Sequence, residues 1–171
     1  MAGNNNRSRR PITFIGVGNE YRQDDGVGIF IVRHPALLYH PAARVAESQR
    51  EGAHLMDLWK GAGIVFVFDA VYSRSTAGTI YRLDAMKEQV PGDLFRLSTH
   101  RLGIAEAVEL SRALNQLPAE LILFGIEGKN FGQGRGLSLQ CENLALKVIR
   151  RVLVEIQKSI QILSQNANAF F

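Results

Sequence analysis

Three acids and one histidine are the side chains in this sequence best suited to share a reaction: the adjacent pair Asp24 and Asp25, then Asp69, then His100. Carboxylate oxygens and a neutral imidazole suit nickel, zinc or a similar divalent ion, and a three-ligand set leaves coordination positions open to a substrate. Asp25, Asp69 and His100 form that expected set. Asp24 is expected to support the turn it sits in, with a supporting contact to a ligand or service as a general base as its other uses. Each group also has a plain structural reading. Asp24 or Asp25 caps a helix, Asp69 braces the loop after its strand, and His100 is a partly buried histidine satisfied by a backbone carbonyl. His34 and His40 each stand before or near a proline in a connection, and His54 lies on a helix with no acidic partner in sight, so none of the three is counted with the site.

The elements that must position these groups are legible from pattern. Ile12-Thr13-Phe14-Ile15 is a short apolar run of strand type, and Gly16 and Gly18 let the backbone turn directly after it. The stretch Asp25 to Arg33 then reads as a helix with Asp24 as its N-cap, ended by His34-Pro35. Residues 34–43 read as a connection, 44–48 as a strand, and 52–60 as a helix with Leu55, Leu58 and Trp59 on one side. Ile64 to Phe68 is an unbroken apolar strand, with Asp69 at its carboxyl end. The strand expected at 79–83 follows too closely for a parallel crossover, so it is read as an antiparallel or edge strand. A helix from Ser98 to about Leu114 carries His100 in its first turn, with Leu102, Ala105, Val108 or Glu109, and Leu110 on one face. There the positive helix end would favour a neutral imidazole. A buried strand at 121–126, the glycine-rich loop EGKNFGQGRG and a helix from Leu137 to about Leu163 complete the chain, the last with a stripe through Cys141, Ala145, Val148, Val152, Ile156, Ile160 and Leu163.

Strands alternating with helices predict an α/β fold: a single three-layer domain with a mostly parallel sheet, helices on both faces and one antiparallel edge strand. The domain is expected over residues 11–163, between a flexible basic tail at 1–10 and a loose end at 164–171. Ligands in such sheets bind outside the carboxyl ends of the strands. The turn bearing Asp25, then Asp69 and the loop after Ile126 all fall at such ends, so they should share one edge.

Composition narrows the function further. The chain has 171 residues, 46% hydrophobic and 21% charged, which fits one soluble domain with a sizeable core. Its net charge is +4, but Arg7, Arg9 and Arg10 sit in the tail, and without them the chain carries +1. That balance argues against a nucleic-acid partner. No run is apolar enough for a membrane span and the tail is no secretory signal, so a cytoplasmic location is expected. The single Cys141 rules out an internal disulfide and is read as a small core residue. A dinucleotide fingerprint fails because its third glycine would fall at Tyr21. Neither a GxxxxGK(S/T) phosphate loop nor a GxSxG elbow is present.

The stretches GVGNEYRQDDGVG, FDAVYS with GTIYRLDA, LSTHRLGIAEAVELSRAL and GIEGKNFGQGRGLS, in that order from about Ile12 to about Ile156, resemble the hydrogenase maturation protease family. These are the endopeptidases that process the large subunit of nickel-iron hydrogenases. The resemblance implies a doubly wound α/β domain whose metal-binding acid, second acid and histidine fall on Asp25, Asp69 and His100. It implies removal of a C-terminal extension from the large-subunit precursor once nickel has been inserted, with that nickel as recognition element. The cofactor so implied is a divalent metal, in first place nickel supplied by the substrate, and the partner is the precursor, with no nucleic acid and no membrane. Asn19 and the Gly103 backbone are expected to help shape the cleft. The chain departs from the family pattern in the loop YSRSTAGT, where Gly is common near Arg74 and Pro near Ala77, and at Gly128, where Ala or Pro is common. Two other classes stand beside this reading: a non-catalytic nickel-checking chaperone of the precursor, and a small nucleotide-binding module on the same sheet.

Overall fold

The computed structural model describes residues 12–49, 51–73, 78–95 and 102–168, with side chains described as far as 158. The basic tail, the middle half of the YSRSTAGT loop (residues 74–77) and the segment holding His100 lie outside the described residues. Five strands form one sheet in the order β2-β1-β3-β5-β4. These are β1 (Ile12–Val17), β2 (Ala43–Ser48), β3 (Ile64–Val71), β4 (Ile80–Asp84) and β5 (Glu120–Glu127). All neighbours run parallel except β4, which is antiparallel to β5 on the outer edge, as the short connection before it requires.

The central strands are apolar on both faces because both faces are covered. On one face, Ile12, Phe14, Phe66, Phe68, Phe124 and Ile126 pack against α1 (Val27–Arg33), α2 (Pro35–Leu38) and α5 (Leu139–Asn168). Phe68 and Phe124 stack there at 5.8 Å between ring centroids. On the other, Ile15, Val17, Val65, Val67, Val71 and Leu123 pack against α3 (Gly52–Trp59) and α4 (Ile104–Ala113). The Trp59 indole N–H donates to Ser111 Oγ at 3.1 Å, so the largest side chain on this face leaves no polar atom stranded. The three-layer arrangement is therefore the expected one. Among the described residues no helix is long and apolar enough to cross a membrane.

Boundaries differ where distant residues set them. The helix expected from Asp25 begins instead at Val27, behind a short 3-10 helix at Gln23–Gly26, so Asp24 is not its N-cap. The connection after His34 contains α2, whose start is capped by His34 Nδ1 accepting from Ala36 N–H at 3.3 Å. Asp69 is two residues inside β3, because Ala70 and Val71 continue to pair with Ile126 and Glu127. Helix α4 begins at Ile104, with Gly103 at its N-cap and Glu106 Oε2 accepting from the Gly103 N–H at 3.1 Å. The expected helical start at Ser98, with His100 in its first turn, falls on residues outside those described. Leu102 and Leu110 are exposed, while Ile104, Ala107 and Ser111 join Ala105 and Val108 on the buried face. The stripe on α5 holds through Cys141, Ala145, Val148, Val152 and Ile156, and the helix runs to Asn168.

Candidate active site

Strand order reverses at β1: β2 lies on one side and β3 on the other. In an open α/β sheet the crevice at such a reversal is where ligands bind, at the carboxyl ends of the strands. Asp25 follows β1 and Asp69 stands on β3, so the two acids flank that reversal. Both are almost wholly buried, at 1% and 0% exposure. Carboxylates are rarely buried to this extent without a task that holds them there.

Close backbone packing brings Asp25 to the edge. Gly18 has φ +135°, a conformation that side chains disfavour, and a Cβ on it would overlap the carbonyl oxygen of Asp25. A Cβ on Gly28 would overlap the carbonyl oxygens of both Phe68 and Val17. The 3-10 helix and α1 can therefore sit directly on the ends of β1 and β3 only because these positions are glycine. Asn19 N–H donates to Asp25 O at 3.3 Å and closes the turn.

Alternation along β3 fixes the direction in which Asp69 faces. Val65, Val67 and Val71 belong to the core under α3 and α4, so Asp69 shares their side of the sheet. Phe95, directly before the segment 96–101, and Ile104, three residues after it, belong to that same core. Among the described residues no three His, Cys, Asp or Glu side chains group as a metal site, and His100 is outside them.

Asp24 does something the sequence did not disclose. Its Oδ2 accepts from the backbone N–H groups of Lys129 and Asn130, both at 2.9 Å, and from Ser138 Oγ at 2.9 Å; its Oδ1 accepts from Ser138 N–H at 2.6 Å. Burial works to raise its pKa, but the Asn130, Ser138 and Lys129 donors outweigh burial and hold the carboxyl below its usual range. Asp24 therefore fastens the glycine-rich loop after β5 to the turn after β1. Gly128 finds its reason in the same loop: a Cβ there would stand 2.5 Å from Phe131 Cζ and 3.1 Å from Asp24 Cβ. Cys141 is buried beneath the loop, and burial together with the nearby Asp24 charge pushes its thiol pKa up, away from nucleophilic use.

A cleft of about 290 Å³ opens beside the Asp25 turn, between the ends of β1 and β2, with Gly18, Asn19, Glu20, Glu47, Ser48 and His54 in its wall. Asn19 lines it, with its Oδ1 accepting from Tyr21 N–H at 2.9 Å, while Gly103 is not in this wall. Arg33 crosses it, bidentate to Glu47 at 2.7 and 2.8 Å and reaching Glu20 at 3.2 Å. The Arg135 hydrogen bond, with Arg33 behind it, holds the Glu20 carboxyl below its usual pKa. His54, set aside on sequence grounds, thus lines a cleft near three carboxylates, since Glu51 is also in the wall. Only the fold could reveal this, because Glu20, Glu47 and His54 belong to three separate elements.

A family model described as hydrogenase maturation protease matches residues 43–155. This chain belongs to the hydrogenase maturation protease family. Its relatives include the hydrogenase 2 maturation protease of Escherichia coli K12, 26% identical over 153 residues that cover 86% of this chain and 92% of the relative. The hydrogenase expression/formation protein HupD of Thiocapsa roseopersicina is 27% identical over 165 residues, covering 93% and 70%. The same fold is seen in the E. coli maturating endopeptidase HybD, with a TM-score of 0.73 at 22% identity over 87% of this chain and 93% of that one. HybD from Thermococcus kodakarensis gives a TM-score of 0.63 at 22% identity, covering 88% and 98%. The matched family span holds Asp69 and the position of His100.

Proposed function

We propose that this maturation protease is the endopeptidase that removes the C-terminal extension of a nickel-iron hydrogenase large-subunit precursor after nickel insertion. The observation that carries this reading is the pair of buried acids, Asp25 and Asp69, flanking the strand-order reversal of a maturation-protease fold. In this reading Asp25, Asp69 and His100 engage the nickel that the precursor brings. Two carboxylates and an imidazole fit such an ion by donor type.

Support for His100 comes from its neighbour. Leu102 O accepts from Gly52 N–H at 3.0 Å, at the start of α3. Three residues separate Ser48 at the end of β2 from Gly52, so this contact lies at the carboxyl edge. Leu102, two positions after His100 in the sequence, therefore stands at that edge.

The substrate's metal, once held, supplies Lewis acidity to the scissile carbonyl. The protein contributes fixed acids in a poorly solvated setting, with their positions set by glycine packing before substrate arrives. Burial of both acids also spares the site from reordering when the precursor binds.

The test is direct. The protein is incubated with the large-subunit precursor of its own organism, with and without nickel, and the C-terminal fragment is followed by mass. Nickel-dependent release of one fragment is expected, and its loss in folded Asp69→Ala and His100→Ala variants. Failure to cut any such precursor in either state would remove the peptidase reading; uncut but bound precursor would leave a chaperone.

A further inference from the structure

Aromatic and cationic side chains gather at the carboxyl ends of β1, β3 and β5. Tyr21, after β1, is 60% exposed, and Tyr72, after β3, is 52% exposed. The ring of Phe131, after β5, meets Tyr72 edge-on at 5.6 Å, and Arg22 reaches the Phe131 carbonyl oxygen at 3.5 Å. Arg135 lies 4.7 Å from the Tyr21 ring centroid. The strip thus draws on the ends of three strands. Phe131 is partly buried against the core under α1 and α5, while Tyr21 and Tyr72 leave apolar ring surface open to solvent.

The strip is also held in shape. Arg22 pairs with Gly134 as an isolated bridge, Gln23 N–H donates to Gly134 O at 3.0 Å, and Gly134 N–H donates to Tyr21 O at 2.9 Å. With the Asp24 fastening, both sides are fixed before any partner arrives, which lowers the ordering cost of binding. Its charge is unbalanced. Glu20 is taken by Arg33 and Arg135, and the oxygens of Asp24 are taken by the loop. Arg22 and Lys129, both exposed, have no carboxylate partner among the described residues.

We propose that Tyr21, Arg22, Tyr72, Lys129 and Phe131 form the docking surface for an acidic segment of the precursor polypeptide, with an apolar side chain of that segment resting against the exposed face of the Tyr72 ring. This rests on the peptidase reading for the identity of the partner. Tyr and Arg are the residue types that most often dominate protein interfaces, and rim charges set the encounter rate and its salt dependence.

The experiment measures binding of the purified precursor to the protein by interferometry at low and moderate salt, together with cleavage. Arg22→Glu/Lys129→Glu is expected to weaken binding about tenfold and to flatten the salt dependence, and Tyr72→Ser to weaken it several-fold, with the thermal midpoint near wild type. Cleavage at limiting precursor should fall in step with the loss of binding. Precursor cut by variants that bind as tightly as wild type would overturn the docking surface and leave the peptidase reading intact. Precursor bound through the strip but never cut would overturn the peptidase reading alone. If the variants instead abolish self-association while precursor affinity is unchanged, the strip belongs to a dimer and the proposal fails.

Discussion

Ser138 grips Asp24 with both of its donors, the backbone N–H at 2.6 Å from one carboxylate oxygen and the hydroxyl at 2.9 Å from the other. The Lys129 and Asn130 N–H groups complete the cage. Asp24→Ala should cost about 3 kcal/mol, since several charge-assisted bonds are lost and three backbone donors are left without an acceptor. Hydrogen exchange should show the 129–138 amides losing protection before the sheet does.

That cage also sets an acid limit. The folded pKa of Asp24 is depressed from its ordinary 3.8, so its contribution to stability is fully present above 3.8 and is lost as pH falls through the folded value. Denaturant midpoints between pH 2 and 6 should fall on the acid side in wild type. Asp24→Asn should flatten part of that fall; an unchanged profile would exclude Asp24 as its source.

Gly18→Ala places a Cβ against the Asp25 carbonyl at a φ of +135°, where the backbone has no relief. A loss of about 2 kcal/mol or more is expected. Activity should fall further than stability, because the displaced atom belongs to Asp25 itself. Comparing cleavage rate with thermal midpoint separates the two effects.

Asp25→Asn and Asp69→Asn keep side-chain volume and remove charge. Each should lower cleavage of nickel-loaded precursor by at least about a hundredfold, the scale on which loss of a group acting on the reacting atoms is felt. Near-UV circular dichroism should stay at wild type. Wild-type cleavage by either variant would remove that acid from the site.

Cys141 supplies a control. Its thiol is buried and its pKa raised, so the native protein should resist thiol reagents at pH 8 and label only on unfolding. Cys141→Ala should leave cleavage unchanged.

Ile64 to Phe68 and the stripe on α5 were readable because the apolar period is local and both features are buried by whatever covers them. That Asp25 and Asp69 stand near the carboxyl ends of β1 and β3 was readable because the alternation of strands and helices marks where each strand ends. What stayed hidden depends on partners far along the chain. Asp24 looks like a helix cap until Ser138 is brought beside it, and β3 continues past Asp69 because β5 offers Ile126 and Glu127 as neighbours. The start of α4 moved to Ile104 through a Gly103–Glu106 contact that periodicity does not weigh. The cleft lined by Glu20, Glu47 and His54 has no linear signature at all.

The Asp24 fastening joins residues 105 to 114 positions apart. Contacts of such long sequence separation carry a large loop-closure cost and form only once the intervening chain has collapsed. By that argument the wall around Asp25 is expected to close late, after β5 and the start of α5 have docked. A nascent or half-folded copy has its acids but not the frame that aims them, so the chain completes its own maturation before it can act on that of another.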